Sequence, residues 1–363
     1  MLSMSRFTIK QPGIFVQNIR IQPQPIEGVS TSTAAFLGET QTGPTTPTLV
    51  TSWLEYQNVF GGYFGEGKYL PYAVEGFFLN GGQRCYVCRV NGSDYASALA
   101  KLGAVEEISI IYSPNAQAVP GLADALIGHG ESMKRFVIFD SVKGQEPSSI
   151  TKPKQSANAA LYYPWIYVRQ AGTGPLFLVP PGGHVAGIYV RTDTERGVHK
   201  APANQLVKGA VDLEFELTSS QQDSLNPQGI NCIRNFAGRG ILVWGARTLS
   251  SDPEWKYVSV RRLLIYLEQS IKKGTAWAVF EPNNAATWTK IKASIECFLM
   301  EAWRYGMLMG VKTQEAYFVN CDRGVTMTQS DVDSGRLLIL VGVAPIKPAE
   351  FMILRVSHLM VHL

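Results

Sequence analysis

Residues Gly13 to Ile21 read GIFVQNIRI, a β-branched-rich run closed off by Pro12 on one side and by Pro23 and Pro25 on the other. Such a run reads as one strand. With proline on both flanks it has no sequence neighbour to pair with, so it is an arm in search of a sheet. The far end poses the same problem. FMILRVSHLMVHL, Phe351 to Leu363, is extended and apolar almost to its last residue, and an uncovered strand of that kind is an aggregation hazard. The candidate strand-pairing residues are Ile14, Phe15, Val16, Ile19 and Ile21 at one end, and Phe351, Ile353, Leu354 and Val356 at the other.

Between these ends lies more chain than one core usually serves. At 363 residues the sequence is expected to form two domains. Its 45% hydrophobic and 17% charged content is that of an ordinary globular protein that needs no disulfide or metal. The net charge of +4 is spread along the chain, which argues against a nucleic-acid or membrane-surface partner. Five scattered cysteines suit a reducing compartment. The first residues lack the apolar core of a signal peptide, and no apolar run is long enough to span a bilayer. The chain is expected to fold in cytosol and to stay soluble until it assembles.

From Ile26 to about Phe236 the pattern is mixed α/β. TAAFLG (33–38), CYVCRV (85–90), EISIIY (107–112) and RFVIFD (135–140) read as strands, with helices near 69–79, 94–102 and 120–128. That alternation predicts a sheet covered by helices. The polar stretch from Pro147 to Asn158 reads as a surface loop. In the last third, Asp252-Pro253 predicts a helix start and Gly274 its stop. TAWAVF (275–280) reads as a short strand. A second helix is expected from about Ala285 to Tyr305, with Trp288, Ile291, Ile295, Phe298, Leu299 and Ala302 at helical spacing. Lys290, Lys292, Glu296, Glu301 and Arg304 fall largely on its other faces. Strands are expected at 315–320, 336–344 and 350–358.

Motifs that carry chemistry are incomplete. Gly62 to Lys68 fits the G-x-x-x-x-G-K spacing, but Tyr69 stands where a phosphate-binding loop needs Ser or Thr. A Gly-rich turn explains it. Cys85 and Cys88 lack a second pair at zinc spacing, and on a strand their thiols point to opposite faces. His129, His184, His199, His358 and His362 form no metal-ligand cluster, and Asp331-x-Asp333-x-Gly335 lacks the further oxygen ligands of a calcium loop. No catalytic residue, cofactor site or metal site is assigned, and the chain is not expected to be an enzyme.

Ordered blocks of sequence then become recognisable: PGIFVQNI (12–19), IEGVSTSTAAFLGETQTGP (26–44), FFLNGGQRCYVCRV (77–90) and ALYYPW (160–165). They continue with PPGGHVAGIYVRTDTERGVHKAPAN (180–204), LNPQGINCIRNFAGRGILVWGARTL (225–249), FEPNNAATW (280–288) and APIKPAEF (344–351). In this order and spacing the chain resembles the contractile tail-sheath proteins nearly end to end, most strongly from about Ala160. Gly182 stands where that family more often has Ser.

The resemblance implies an α/β (α+β) two-domain tail-sheath fold with extended terminal strand arms. An inner domain would combine residues 1–27 with 237–363, and an outer α/β domain, 28–236, would be inserted between them. It further implies a helical homopolymer of stacked sixfold rings around an inner tube protein. Baseplate and terminal cap proteins, and paralogous sheath proteins, would be its other partners. Such particles are phage tails, R-type bacteriocins or extracellular contractile injection systems, assembled in a bacterial cytoplasm. The compact chain favours the extracellular type. In this family a charged helix of the inner domain grips the tube, which makes Lys290, Lys292, Glu296, Glu301 and Arg304 the candidates. The competing readings are a nucleotide-binding enzyme using the Gly62–Lys68 turn and a monomeric binding module.

Overall fold

Apolar strands alternating with helices build one large sheet covered on both faces. The computed structural model describes residues 24–350. In chain order it begins with β1 (Ala34–Gly38), β2 (Thr48–Val50), α1 (Trp53–Phe60), α2 (Leu70–Leu79), β3 (Cys85–Arg89), α3 (Tyr95–Gly103) and β4 (Ile110–Tyr112). Next come α4 (Leu122–Ser132), β5 (Phe136–Asp140), β6 (Ala159–Tyr163), β7 (Ile166–Arg169), β8 (Leu176–Val179) and α5 (Gly182–Arg196). β9 (Gln205–Leu206), β10 (Ala210–Leu213), α6 (Ser219–Leu225), β11 (Ile230–Phe236) and β12 (Gly240–Val243) follow. The last part holds α7 (Val258–Gly274), α8 (Ala285–Arg304), α9 (Thr313–Ala316), β13 (Tyr317–Asn320), α10 (Gln329–Asp333) and β14 (Leu340–Val343).

The large sheet has the order β2-β3-β1-β4-β5-β6-β11-β12-β9. Its six central strands, from β3 to β11, are parallel, and antiparallel strands finish both margins. Parallel strands covered on both faces need apolar side chains at every position. AAFLG, FVIFD and AALYY are accordingly buried throughout. Cys85 joins the core on the α2/α5 face and Cys88 the core on the α3/α4 face. The two thiols therefore act as separate small core residues.

Helix α5 packs on α2 through glycines. A Cβ at Gly183 or Gly187 would overlap the backbone of Ala73 or Phe77, and one at Gly76 would overlap the His184 ring. Close backbone approach of this kind leaves no room for a side chain. A smaller sheet, β10-β7-β8, lies beside this pair.

The last third forms its own core, where Leu263 and Leu267 of α7 meet Ile291, Ile295 and Leu299 of α8. Ile26 belongs to this cluster, although Ala34 onward belongs to the large sheet. The large sheet itself continues through Val243, past residue 236.

Two expectations for this third are corrected. Asp252-Pro253 does not start a helix. The Asp252 carboxylate accepts the Glu254 N–H at 2.9 Å and its carbonyl accepts that of Trp255 at 3.1 Å, which makes a turn. Arg247 then pairs with Tyr257 as an isolated bridge, so the backbone stays extended until Val258. TAWAVF is not a strand either. The Thr275 hydroxyl donates to Ile271 O at 2.8 Å, the helix tightens into a 3₁₀ turn at Ala276–Ala278, and Phe280 takes φ +68°. The strands expected from 315 and 336 begin at Tyr317 and Leu340; helix α9 takes up residues to Ala316 in the first case, and β14 pairs with β13 only from Leu340 in the second. The strand expected at 350–358 and the N-terminal one lie outside the described residues.

Candidate assembly surfaces

The linker and α7 join the two cores. Going from residue 31 back towards residue 26, the chain runs along α7: Arg262 donates to Thr31 O, Ser270 Oγ accepts from the Val29 N–H at 3.0 Å, and Ile26 lies against Gly274. Arg262 also forms a two-pronged ion pair with Asp193 of α5, at 2.8 and 2.6 Å. Both side chains are under 5% exposed. The guanidinium sits 4.8 Å over the Tyr189 ring, whose hydroxyl shares a 2.7 Å hydrogen bond with Tyr162 of β6. One arginine thus ties linker, helix pair and sheet.

At the C-terminal edge of a parallel sheet, next to a helix N-terminus, α/β proteins commonly bind ligands. Here the chain fills that place itself. Asp140, at the end of β5, accepts from Gly182 N–H of α5 at 2.7 Å, Tyr112 hydroxyl at 2.8 Å and Asn115 N–H at 3.2 Å. Burial pushes the carboxyl up to about 7 from its ordinary 3.8, and these three donors hold it back. The folded chain then binds this proton more tightly than the unfolded one. The associated stability is complete below about pH 4 and is lost as pH rises through about 7. Asp140→Asn should flatten that part of the pH profile of unfolding free energy, measured by urea denaturation between pH 4 and 8.

Lys68 of the Gly62–Lys68 turn is engaged in an ion pair with Glu39, and the element before the turn is helix α1, not a strand. Among the described residues no group of His, Cys, Asp and Glu is placed to hold a metal. No helix among them is long and apolar enough to cross a membrane.

Apolar exposure concentrates elsewhere. Residues 275–350 carry ten of the seventeen exposed large apolar side chains of the described chain, including Val279, Phe280, Val311, Phe318 and Leu340. Apolar exposure concentrated in one part of a chain is a feature of contact surfaces. Phe318 and Leu340 lie on the two-stranded sheet β13-β14, in the register Tyr317↔Val343 to Asn320↔Leu340. Two strands alone are marginal. This pair leans on α8, with the Tyr317 hydroxyl donating to Glu296 O at 3.3 Å. Among the described residues it has no third strand, so both outer edges present backbone donors and acceptors.

Helix α8 starts where Asn284 caps the Thr287 N–H at 3.1 Å. Its six predicted core positions are all buried. At roughly 100° per residue, the five candidate charges divide between two flanks. Lys290, Glu301 and Arg304 share an exposed flank, and Lys292 and Glu296 share a half-buried one. Among the described residues none of the five forms a salt bridge.

The described chain ends on an anchor. Glu350 accepts two hydrogen bonds from Arg247, at 2.8 and 2.6 Å, and one from the Tyr257 hydroxyl at 3.3 Å. Arg247 is buried, and it also donates to Asn226 O at 2.6 Å. These partners hold the Glu350 carboxyl below its usual range despite burial. Spacing in the sequence carries no signal for this pair or for Arg262–Asp193, because their members are 103 and 69 residues apart. The nine proposed arm residues lie outside the described residues.

Residues 89–249 match the phage tail sheath protein central domain, and residues 250–358 match the phage tail sheath C-terminal domain. A chain of the anti-feeding prophage baseplate is 34% identical, covering 97% of this chain and 100% of that one at a TM-score of 0.82. This chain belongs to the phage tail-sheath family. A chain of the contracted PVC sheath complex, from an extracellular contractile injection system, is 31% identical, covering 97% and 98% at a TM-score of 0.82. The putative prophage major tail sheath protein of Pseudomonas aeruginosa is 26% identical over 178 residues, 47% of this chain and 46% of the relative. The match thus spans about half of that curated relative. Proteins of this family are structural, and the α/β fold read from the sequence is the one observed.

Proposed function

We propose that this chain is a structural subunit of a contractile sheath, polymerised as stacked helical rings, sixfold by analogy, around an inner tube. The observation that carries the reading is the end-to-end match to a chain of the contracted PVC sheath complex and to one of the anti-feeding prophage baseplate. The open-edged β13-β14 pair within the apolar surface of residues 275–350 supports it. Residues 1–27 and the last third form the tube-side domain, the large sheet forms the outer one, and their boundary falls after β12. The terminal segments reach neighbouring copies and add strands there. Main-chain hydrogen bonds supply the affinity, and alternate side chains set the register. The arm residues are Ile14, Phe15, Val16, Ile19 and Ile21 at one end and Phe351, Ile353, Leu354 and Val356 at the other.

Contacts of this heterologous kind generate rings or open helices, according to the rotation between copies. The extended lattice is metastable and collapses into a shorter, wider one, driving the tube outward on energy stored at assembly. Charges on α8 grip the tube while the sheath is extended. Lys290, Glu301 and Arg304 form one contact flank, and Lys292 and Glu296 form the other. Baseplate and cap proteins close the two ends of the particle.

Electron microscopy of the purified chain, alone and with its tube protein, tests the reading. Hollow striated cylinders are the expected result. Discrete particles of monomer size in both preparations would overturn it. Reversing Lys290 and Arg304 should leave empty cylinders intact and abolish capture of the tube.

A further inference from the structure

Phe280 is fully exposed, Val279 beside it is 65% exposed, and Phe280 holds φ +68°. A left-handed backbone is unfavourable for a bulky aromatic residue, so the surrounding loop must impose it. Glu281 N–H donates to Ala278 O at 3.2 Å. The Asn283 amide donates to Arg336 O at 3.1 Å and accepts from the Trp288 indole at 2.7 Å. The knob is therefore rigid before it meets a partner, which lowers the entropy cost of docking. Three residues before Phe280, the Trp277 indole N–H is buried and has no acceptor among the described residues, which is a costly state.

The course of the chain points to the occupant. From Thr31 through Val29 to Ile26 the backbone descends α7 and reaches Gly274, six residues before Phe280. Residues 22–25, QPQP, span at most roughly 13 Å, so they are a short tether between Ile26, which lies against Gly274, and the apolar run that ends at Ile21. That segment is the apolar GIFVQNIRI, and its Arg20 is opposite in charge to the exposed Glu281.

We propose that the Val279–Phe280 knob is a stowage seat for residues 14–21 of the same chain before assembly, from which the arm is released into a neighbouring copy. An apolar strand left free on a monomer would pair indiscriminately; a seat on its own body covers it until a better partner edge arrives. The proposal rests on the sheath reading for the release step alone.

Hydrogen exchange on dilute, monomeric full-length chain tests it. Amides of 14–21 should exchange at least roughly ten-fold more slowly than in an unstructured peptide. Phe280→Asn removes the ring but tolerates the left-handed backbone. It should abolish that protection and shorten the lag before polymerisation, while β1 and β5 stay protected. In a second arm, Ile19→Cys with Val279→Cys should give an intrachain disulfide on oxidation. Unprotected 14–21 amides in the parent chain, protection unchanged in F280N, or a purely interchain disulfide would each overturn the seat. A chain that never polymerises would sink the sheath reading and leave the exchange result to decide the seat.

Discussion

Deleting residues 351–363 should yield a folded monomer that forms no tubes. The last third has a core of its own among the described residues, where Leu263 and Leu267 of α7 meet Ile291, Ile295 and Leu299 of α8. Circular dichroism and the urea midpoint should therefore match the full chain. Assembly should not. A strand added to an open edge makes on the order of six hydrogen bonds at about 1 kcal/mol net each. Losing about 6 kcal/mol per joint weakens each contact by roughly four orders of magnitude. Sedimentation velocity reads the difference directly. Normal tubes from the truncated chain would remove the C-terminal strand from the assembly mechanism.

Arg262→Met should cost about 3–5 kcal/mol of stability, because it strands the buried Asp193 carboxylate without its partner. It also leaves Thr31 O without the Arg262 donor. The double variant Arg262→Met, Asp193→Leu should recover most of that loss, since a well-packed apolar pair often equals or exceeds a buried ion pair. Urea unfolding of the two single variants and the double variant closes the cycle. A cost under about 1 kcal/mol for R262M would show that the junction does not depend on this pair.

The central strands were legible because a strand buried on both faces cannot hide its apolar run, as Phe136 to Asp140 illustrates. The α8 core face was legible because one side packs and the other does not. Helix α5 was not legible. Gly182 to Val190 are all buried, so no polar side marks the helical period, and its glycines weaken the helical signal further. The Asp252-Pro253 turn shows that a capping pair is equally good turn chemistry. The bridge from Arg247 to Tyr257, invisible locally, decided between them. For the candidate site, the individual charges of α8 could be named from periodicity. The Arg247–Glu350 anchor and the left-handed Phe280 arise from tertiary closure and left no local signature.

The anchor at Glu350 determines how load would travel. Between β14 and Glu350 the chain passes through Pro345 and Pro348, a short run with little slack. Its end is clamped by a buried guanidinium that is hydrogen-bonded to the loop before β11. Tension applied beyond residue 350 therefore enters the body at Arg247, next to the large sheet, and bypasses the small β13-β14 pair. A stiff tether stores little elastic energy. Displacement of one copy would be handed on to the next almost undiminished, as along a rod and not along a spring.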